Sequence, residues 1–477
     1  MANQSSVEQY IAKFPKSRAL YEKAKRIFRN GVTHDARLVK PFPIYMTHGK
    51  GSHKWDVDGY EYIDYFGGHG ALMLGHAHPS LVKAVNEQIT KGTQWAACHE
   101  MEIQWAELIM KLIPSAERVE FTNSGTEANM LGIRLARAFT GRNKIVRFQG
   151  QMGGWYDSLM VGGGEPWNIP ITSGLLPCVA QNTVAIPVND EEALEEALHN
   201  RDVASVLYEP PGAYHGTVGT TLSFYKALRD LTKKYGTLLQ FDEVVSGFRD
   251  SPGGIQAAVG VIPDLTSLGK NVTGGMPGAG AIVGRADIMN LLSVKDGDNE
   301  WNRYKRVPHH GTFNANPLCA ATGIATLKIL ATGEPQRQAN NMATLLREGM
   351  ERVMNQRGIN GCAYCNGGSA HLYFGNCQLR DECNRVDCLN STKIRPGGVG
   401  QALGINLTLN GVHTIGRAVD FFVSAVHTEE DINKSIMAFD ISLGTMVSEG
   451  VLRDYMVVNN STKQSSASGG DHQPSGN

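Results

Sequence analysis

Three short stretches of this 477-residue chain combine residue types and spacings that could do chemistry. The first is Phe121–Ala128, where a strand-like run gives way to a helix continuing through Leu131, Leu135 and Ala138 to a cap near Gly141. A helix start exposes unpaired N–H groups, and Ser124, Gly125 and Thr126 add hydroxyls and a close backbone approach, which suits a phosphate. An ordinary turn and N-cap would use the same residues. The second is Phe241–Val244, an apolar strand ending in two carboxylates, Asp242 and Glu243. Ligands of open α/β sheets sit at the carboxyl ends of strands, so a carboxylate there can fix a cationic ring nitrogen; capping the next helix is the alternative. The third is Lys270, preceded by Leu268 and Gly269 and followed by Gly274 and Gly275. Desolvated in such a setting, an amine loses proton affinity and becomes a nucleophile, although most lysines are solvated surface groups. Phosphate turn, ring carboxylate and amine, in that order on one sheet, argue more strongly together than apart.

The elements that must position these groups are legible in outline. Apolar runs at 118–122, 144–148, 204–208 and 237–241 alternate with helical segments between about residues 80 and 325, the pattern of a mainly parallel sheet covered by helices on both faces. Before it, residues 1–30 have helical periodicity, and alternation from Tyr45 to Tyr65 around Asp58-Gly59 predicts a hairpin. After it come a helix from about Gln336 to Gln356, short strands, and a helix near Glu429 to Leu443. The expected division is an N-terminal segment over 1–75, a large domain over 76–325, a small α+β domain over 326–457 that packs with the N-terminal segment, and a Ser- and Gly-rich disordered tail over 458–477. A balance of 45 basic against 46 acidic residues removes the electrostatic case for a nucleic-acid or anionic-membrane partner. No apolar run approaches the roughly 18 residues of a spanning helix, and the first residues lack the apolar core of a secretory signal, so a cytoplasmic location is expected. Eight cysteines are too few for a disulfide framework. Five of them, Cys362, Cys365, Cys377, Cys383 and Cys388, lack the second close pair of a zinc site, so ordinary loop thiols are expected and no metal.

Asn123–Ala128, Phe241–Val244 with Gly247-Phe248-Arg249, Asp264–Lys270 and His310–Pro317 together resemble the class III aminotransferases of fold type I, which use pyridoxal 5′-phosphate. The resemblance covers about residues 30–440. Within that class, Trp55–Gly59, Leu74–Pro79 and Ala425–Ile432 look like the group holding glutamate-1-semialdehyde 2,1-aminomutases and β-amino acid aminotransferases. The resemblance implies that Lys270 forms the Schiff base with the cofactor and then shuttles the substrate proton, and that Asp242 keeps the pyridine nitrogen protonated. It also implies that Val244 packs on one ring face and that Ser124, Gly125 and Thr126 hold the phosphate. Thr312 would reach that phosphate from a second subunit, which implies a homodimer with shared sites.

Departures from the family pattern bear on the substrate. The ring-stacking aromatic of the family falls at Met152, so Met152 is the expected ring neighbour, with Trp155 or Tyr156 able to swing in and plain core as the alternative for the methionine. Arg37 matches the arginine that grips a substrate carboxylate, a task suited to a two-pronged guanidinium; a surface salt bridge is the alternative. His69 stands where the aminomutase has tryptophan, and Arg417 lies near the position where β-amino acid aminotransferases place a second carboxylate-binding arginine. The implied reaction takes an amino group from a β-amino acid or similar ω-amine, stores it as pyridoxamine phosphate, and passes it to a keto acid. An aminomutase, which is an isomerase, is the alternative, and a non-catalytic relative a more distant one.

Overall fold

The computed structural model describes residues 4–170, 172–212, 217–375, 397–414 and 420–456. Its centre is a seven-stranded sheet in the order Arg118–Thr122, Gly280–Gly284, Leu265–Leu268, Leu238–Glu243, Val203–Tyr208, Lys144–Phe148, Thr183–Ile186. The last five are mutually parallel, while Gly280–Gly284 runs antiparallel to both of its neighbours. The fold is therefore the mainly parallel α/β type expected. The run at 118–122 is a strand of this sheet as expected; it joins through Gly280–Gly284, an antiparallel neighbour that periodicity did not single out. The central strands are buried along their whole length, which is why they carry Val, Leu and Phe without alternation.

Helices cover both faces. Gly125–Thr140 begins at the N-cap Ser124 and ends at Gly141, which takes the left-handed conformation (φ 68°) that a residue without Cβ adopts freely. Its Leu131 and Leu135 pack with Leu238, Leu265 and Ile282 of the sheet. Leu222–Tyr235 buries Phe224 and Leu228 against Val206 and Tyr208.

The chain's two ends build a second body. Met46–Lys50, His53–Asp56 and Glu61–Asp64 form an antiparallel meander, one strand more than the expected hairpin, and Val412–His413 adds to its edge in parallel. A three-stranded sheet pairs Gly361–Asn366, Ser369–Phe374 and Asp420–Phe422. The helices Glu334–Gln356 and Glu429–Ser448 cover it, and Ile63 and Tyr65 from the N-terminal meander enter the same core as Leu346, Phe374 and Phe439. Cys362 and Cys365 lie on the first strand of this sheet, where positions three apart face opposite sides and so do not form a chelate. Burial pushes the Cys365 thiol up to about 12. Cys377, Cys383, Cys388, Arg417 and the tail from 457 lie outside the described residues.

Candidate active site

Four neighbouring parallel strands end side by side, and each delivers one group. In sheet order these are Lys270, two residues past Leu265–Leu268; Asp242, on Leu238–Glu243; Glu209, just past Val203–Tyr208; and Met152, four residues past Lys144–Phe148. Register fixes the first two: Asp242 lies opposite Ser267 and Glu243 opposite Leu268. The two adjacent carboxylates part company because successive strand residues face opposite sides. Glu243 turns away to accept from the N–H groups of Ile255 (2.7 Å) and Gln256 (3.2 Å) and from Gln256 Nε2 (2.9 Å), so the capping role belongs to Glu243. Asp242 faces the other way. Its Oδ2 accepts from Asn129 Nδ2 at 2.6 Å and its Oδ1 from the Val244 N–H at 3.1 Å.

Charge is concentrated and dry here. Burial raises the Asp242 carboxyl to about 6, and the Glu209 carboxylate adds to the rise. Burial lowers the Lys270 amine, Arg249 pushes it the same way, and Asp242 and Glu209 oppose them. Lys270 also sits at φ 42°, a left-handed strain uncommon for a residue with a side chain. Arg147, buried under the site, donates to the carbonyls of Gln151, Met152 and Leu159.

Glycines allow the backbones to close on one another. A Cβ at Gly125 would stand 2.5 Å from Val244 Cγ2, and one at Gly269 3.1 Å from Val244 Cγ1, so Val244 is wedged between the helix start and the Lys270 turn. A Cβ at Gly154 would collide with Thr126 Oγ1, which places the Met152 loop against the candidate phosphate turn. Ser124 Oγ accepts from the Glu127 N–H at 3.2 Å, as an N-cap does. Met152 is held by its backbone, its N–H donating to Glu209 Oε2 at 2.6 Å, while its side chain is 56% exposed; plain core is thereby excluded for it. Trp155 is exposed as well.

Arg37 and His69 approach through an intermediary. The His34 ring, in the turn that leads to Arg37, lies 5.0 Å from the His69 ring, and Phe66 lies 4.3 Å from His69 on its other side. Arg37 Nη1 donates to Thr33 Oγ1 at 3.0 Å; Asp35, the nearest acid in sequence, pairs with Arg29 instead. His69 belongs to a run, Gly67–Gly70, whose four φ angles are all positive, from 50° to 81°. Thr312 is exposed on a loop, its carbonyl taken by Gln94 Nε2. Its neighbour Phe313 shares a cavity of about 220 Å³ with Asn123 of the phosphate turn.

These groups fit pyridoxal 5′-phosphate. A buried carboxylate raised by its surroundings gains most from a cationic ring nitrogen, a low-affinity amine stands two strand ends from Glu209, and a helix N-terminus faces the same end of the sheet. The family model of class-III aminotransferases matches residues 35–361. The chain belongs to that family. Its enzymes use pyridoxal 5′-phosphate, and so does this aminotransferase-family chain. A glutamate-1-semialdehyde 2,1-aminomutase from Thermodesulfovibrio yellowstonii is 37% identical over 435 residues, covering 89% of this chain and 98% of the relative. Among solved structures, an omega-transaminase from Sphaerobacter thermophilus is 33% identical with a TM-score of 0.81, covering 90% of this chain and 97% of its own. A beta-phenylalanine aminotransferase from Variovorax paradoxus is 27% identical with a TM-score of 0.80, covering 93% and 97%.

Glu209, Arg147, Asn129 and His34 were not singled out in the sequence. The signal for Glu209 was present: it directly follows a fully buried strand, as Asp242 ends one. Nothing in residue type marks Arg147, which donates to carbonyls of the loop after its own strand, or Asn129, whose partners Gly153 and Asp242 lie far along the chain.

Proposed function

We propose that this enzyme transfers an amino group from a β-amino acid or a similar ω-amine to a keto acid. The observation that carries the chemistry is the adjacency of Lys270 and Asp242 at the ends of paired strands, one amine lowered and one carboxyl raised by burial. When bound, pyridoxal 5′-phosphate supplies an aldehyde that exchanges amino groups and a ring that takes up the electrons of the substrate's Cα–H bond. Asp242, oriented by Asn129, holds the proton on the ring nitrogen. Lys270 would be the amine that holds the cofactor's aldehyde, and its Nζ would take and return the proton of the substrate carbon. Ser124, Gly125 and Thr126 take the phosphate at the helix start, with Thr312 of a second copy completing it in a homodimer, and Val244 and Met152 border the ring. Arg37 and Arg417 bind the substrate carboxylate, and His69 lines the substrate end of the site. The solved omega-transaminase and beta-phenylalanine aminotransferase support the donor class by their similarity to this chain.

One observation favours a second reading, an aminomutase that rearranges a single substrate: relatives with that name match almost end to end at 35–37% identity. His69 at the family's tryptophan position speaks for transfer instead. Titrating the cofactor-loaded enzyme with β-phenylalanine, followed by the visible spectrum and then by addition of 2-oxoglutarate, separates the two. Loss of the visible band with donor and its return with keto acid is expected; a band that ignores the β-amino acid and responds to glutamate-1-semialdehyde overturns the donor assignment.

A further inference from the structure

Gly247-Phe248-Arg249 follows the Asp242 strand closely, yet the reaction as described leaves Arg249 without a task. Its guanidinium is buried and donates to backbone carbonyls: Nη2 to Gly70 at 2.9 Å, and Nη1 to Val423 at 3.1 Å and Gly368 at 3.4 Å. The Phe422 ring lies under it, 5.1 Å from the central carbon. A buried cation is costly unless it is compensated; the Nε–H of Arg249 has no hydrogen-bond partner among the described residues, so the compensation falls to the nearby Asp250 charge and to these three carbonyls, which come from two separate parts of the molecule. Gly368 and Val423 belong to the edge of the three-stranded sheet. Gly70 closes the left-handed run that carries His69, and its carbonyl also accepts from Asn271 Nδ2 at 3.2 Å, one residue beyond Lys270. The Phe422 ring packs so near Gly70 that a Cβ there would lie 3.3 Å from it.

The Gly67–Gly70 run is closed within itself by the Gly70 N–H on the Phe66 carbonyl (3.2 Å) and the Leu72 N–H on the Gly67 carbonyl (3.0 Å), and it is tied to the rest of the molecule at its two ends. A left-handed conformation is strained for an L-residue, so His69 at φ 58° stays in one only where its surroundings over-determine it. Asp64 fastens the entry, accepting from the Phe66 N–H at 2.9 Å and the Gly67 N–H at 3.3 Å. Arg249 and Asn271 fasten the exit. We propose that Arg249 is a positioning residue that locks the His69 turn between the Lys270 loop and the three-stranded sheet, so that discrimination of carboxylate-bearing donors depends on it.

This rests on the assignment of His69 to the substrate end of the site. The test uses the cofactor-loaded enzyme and compares wild type with Arg249→Lys, which keeps the charge and loses the fork. KM and kcat are measured for β-phenylalanine and for 1-phenylethylamine, which lacks the carboxylate, together with hydrogen exchange over residues 66–74. The expected result is a rise of about tenfold or more in KM for β-phenylalanine, a kcat within about threefold, little change for 1-phenylethylamine, and faster exchange confined to 66–74. An unchanged KM ratio between the two donors, or a loss of kcat with faster exchange throughout, makes Arg249 a core residue and overturns the proposal. Should Arg249→Lys not fold, Phe422→Leu, which removes the ring under the guanidinium, carries the same readouts with a smaller shift. Wild-type failure to respond to β-phenylalanine would refute the donor assignment separately, and the exchange over 66–74 would still decide whether Arg249 holds the turn.

Discussion

At the scale of single residues, the site depends on burial as much as on identity. Asp242 and Glu243 are neighbours of the same chemistry, both buried and both raised, yet one faces the cofactor end and the other is consumed by four donors around the Gly254–Val259 helix start. Replacing Asp242 by Asn keeps the shape and the Val244 contact while removing the charge that would face a protonated ring nitrogen. One fixed electrostatic partner is worth about 10²–10³ in kcat, so Asp242→Asn is expected to lower kcat by at least about a hundredfold with the fold intact, read by steady-state rates and circular dichroism. Glu243→Gln should instead lower thermal stability.

At the scale of elements, two buried histidines govern how the body formed by the chain's two ends answers acid. His413 lies between the Tyr62 and Phe66 rings, and burial first, then the Lys54 charge, lowers its pKa to about 3 against the pull of Asp64. His427 stacks on Tyr65 at 4.7 Å, and burial lowers it to about 4 despite Asp431 and Asp64 nearby; the His53 charge adds to the lowering. Both folded values are depressed, so their contribution to stability is present above the unfolded value of about 6.5 and is lost as the pH falls from there towards 4. His53 is raised by its hydrogen bond to Asp431, but below about 6.5 it is charged in both states and adds no slope. Asp64 and Asp431, held well below the usual carboxylate range, keep their contribution until the pH drops beneath about 4. In this window each of the two histidines contributes a fall of about 1.4 kcal/mol per pH unit, opposed by the rise from the Asp242 and Asp250 carboxyls, which burial raises to about 6 and about 7 so that the folded state takes up their protons first. Urea midpoints at pH 6.5 and 5, compared between wild type and His427→Asn, isolate the His427 share: the variant should lose up to about 1.4 kcal/mol per pH unit less on acidification than wild type does.

At the scale of the whole molecule, the proposed homodimer would decide whether a site is complete. Thr312 is exposed and does not join the Lys270–Asp242 group of its own chain, as a residue serving a second subunit would be. If sites are shared, co-expressing Lys270→Ala with Thr312→Asp chains gives mixed dimers in which one site collects both lesions and the other is intact. Activity should reappear in the mixture and be absent from either parent; if Thr312 served its own chain, both sites would be damaged and none would return.

The sequence alone determined the small-residue turn that opens the Gly125–Thr140 helix, the Asp242–Lys270 order and the α/β class, because these are carried by local patterns: a strand ending in a small-residue turn, an apolar run ending in acid, buried strands spaced by helices. Arg37 and His69 were legible as candidates only through their place in a family pattern, and no local signal said that His34 joins them. The tertiary structure decided which of two adjacent carboxylates faces the site, since that depends on the phase of the pleat. It also brought in Glu209, Arg147 and Asn129, whose roles exist only where separate strand ends meet, and gave Arg249 three carbonyls from segments some 120 to 180 residues away. Strand pairing and packing between distant segments set those contacts, and no run of neighbouring residues encodes a partner that far along the chain.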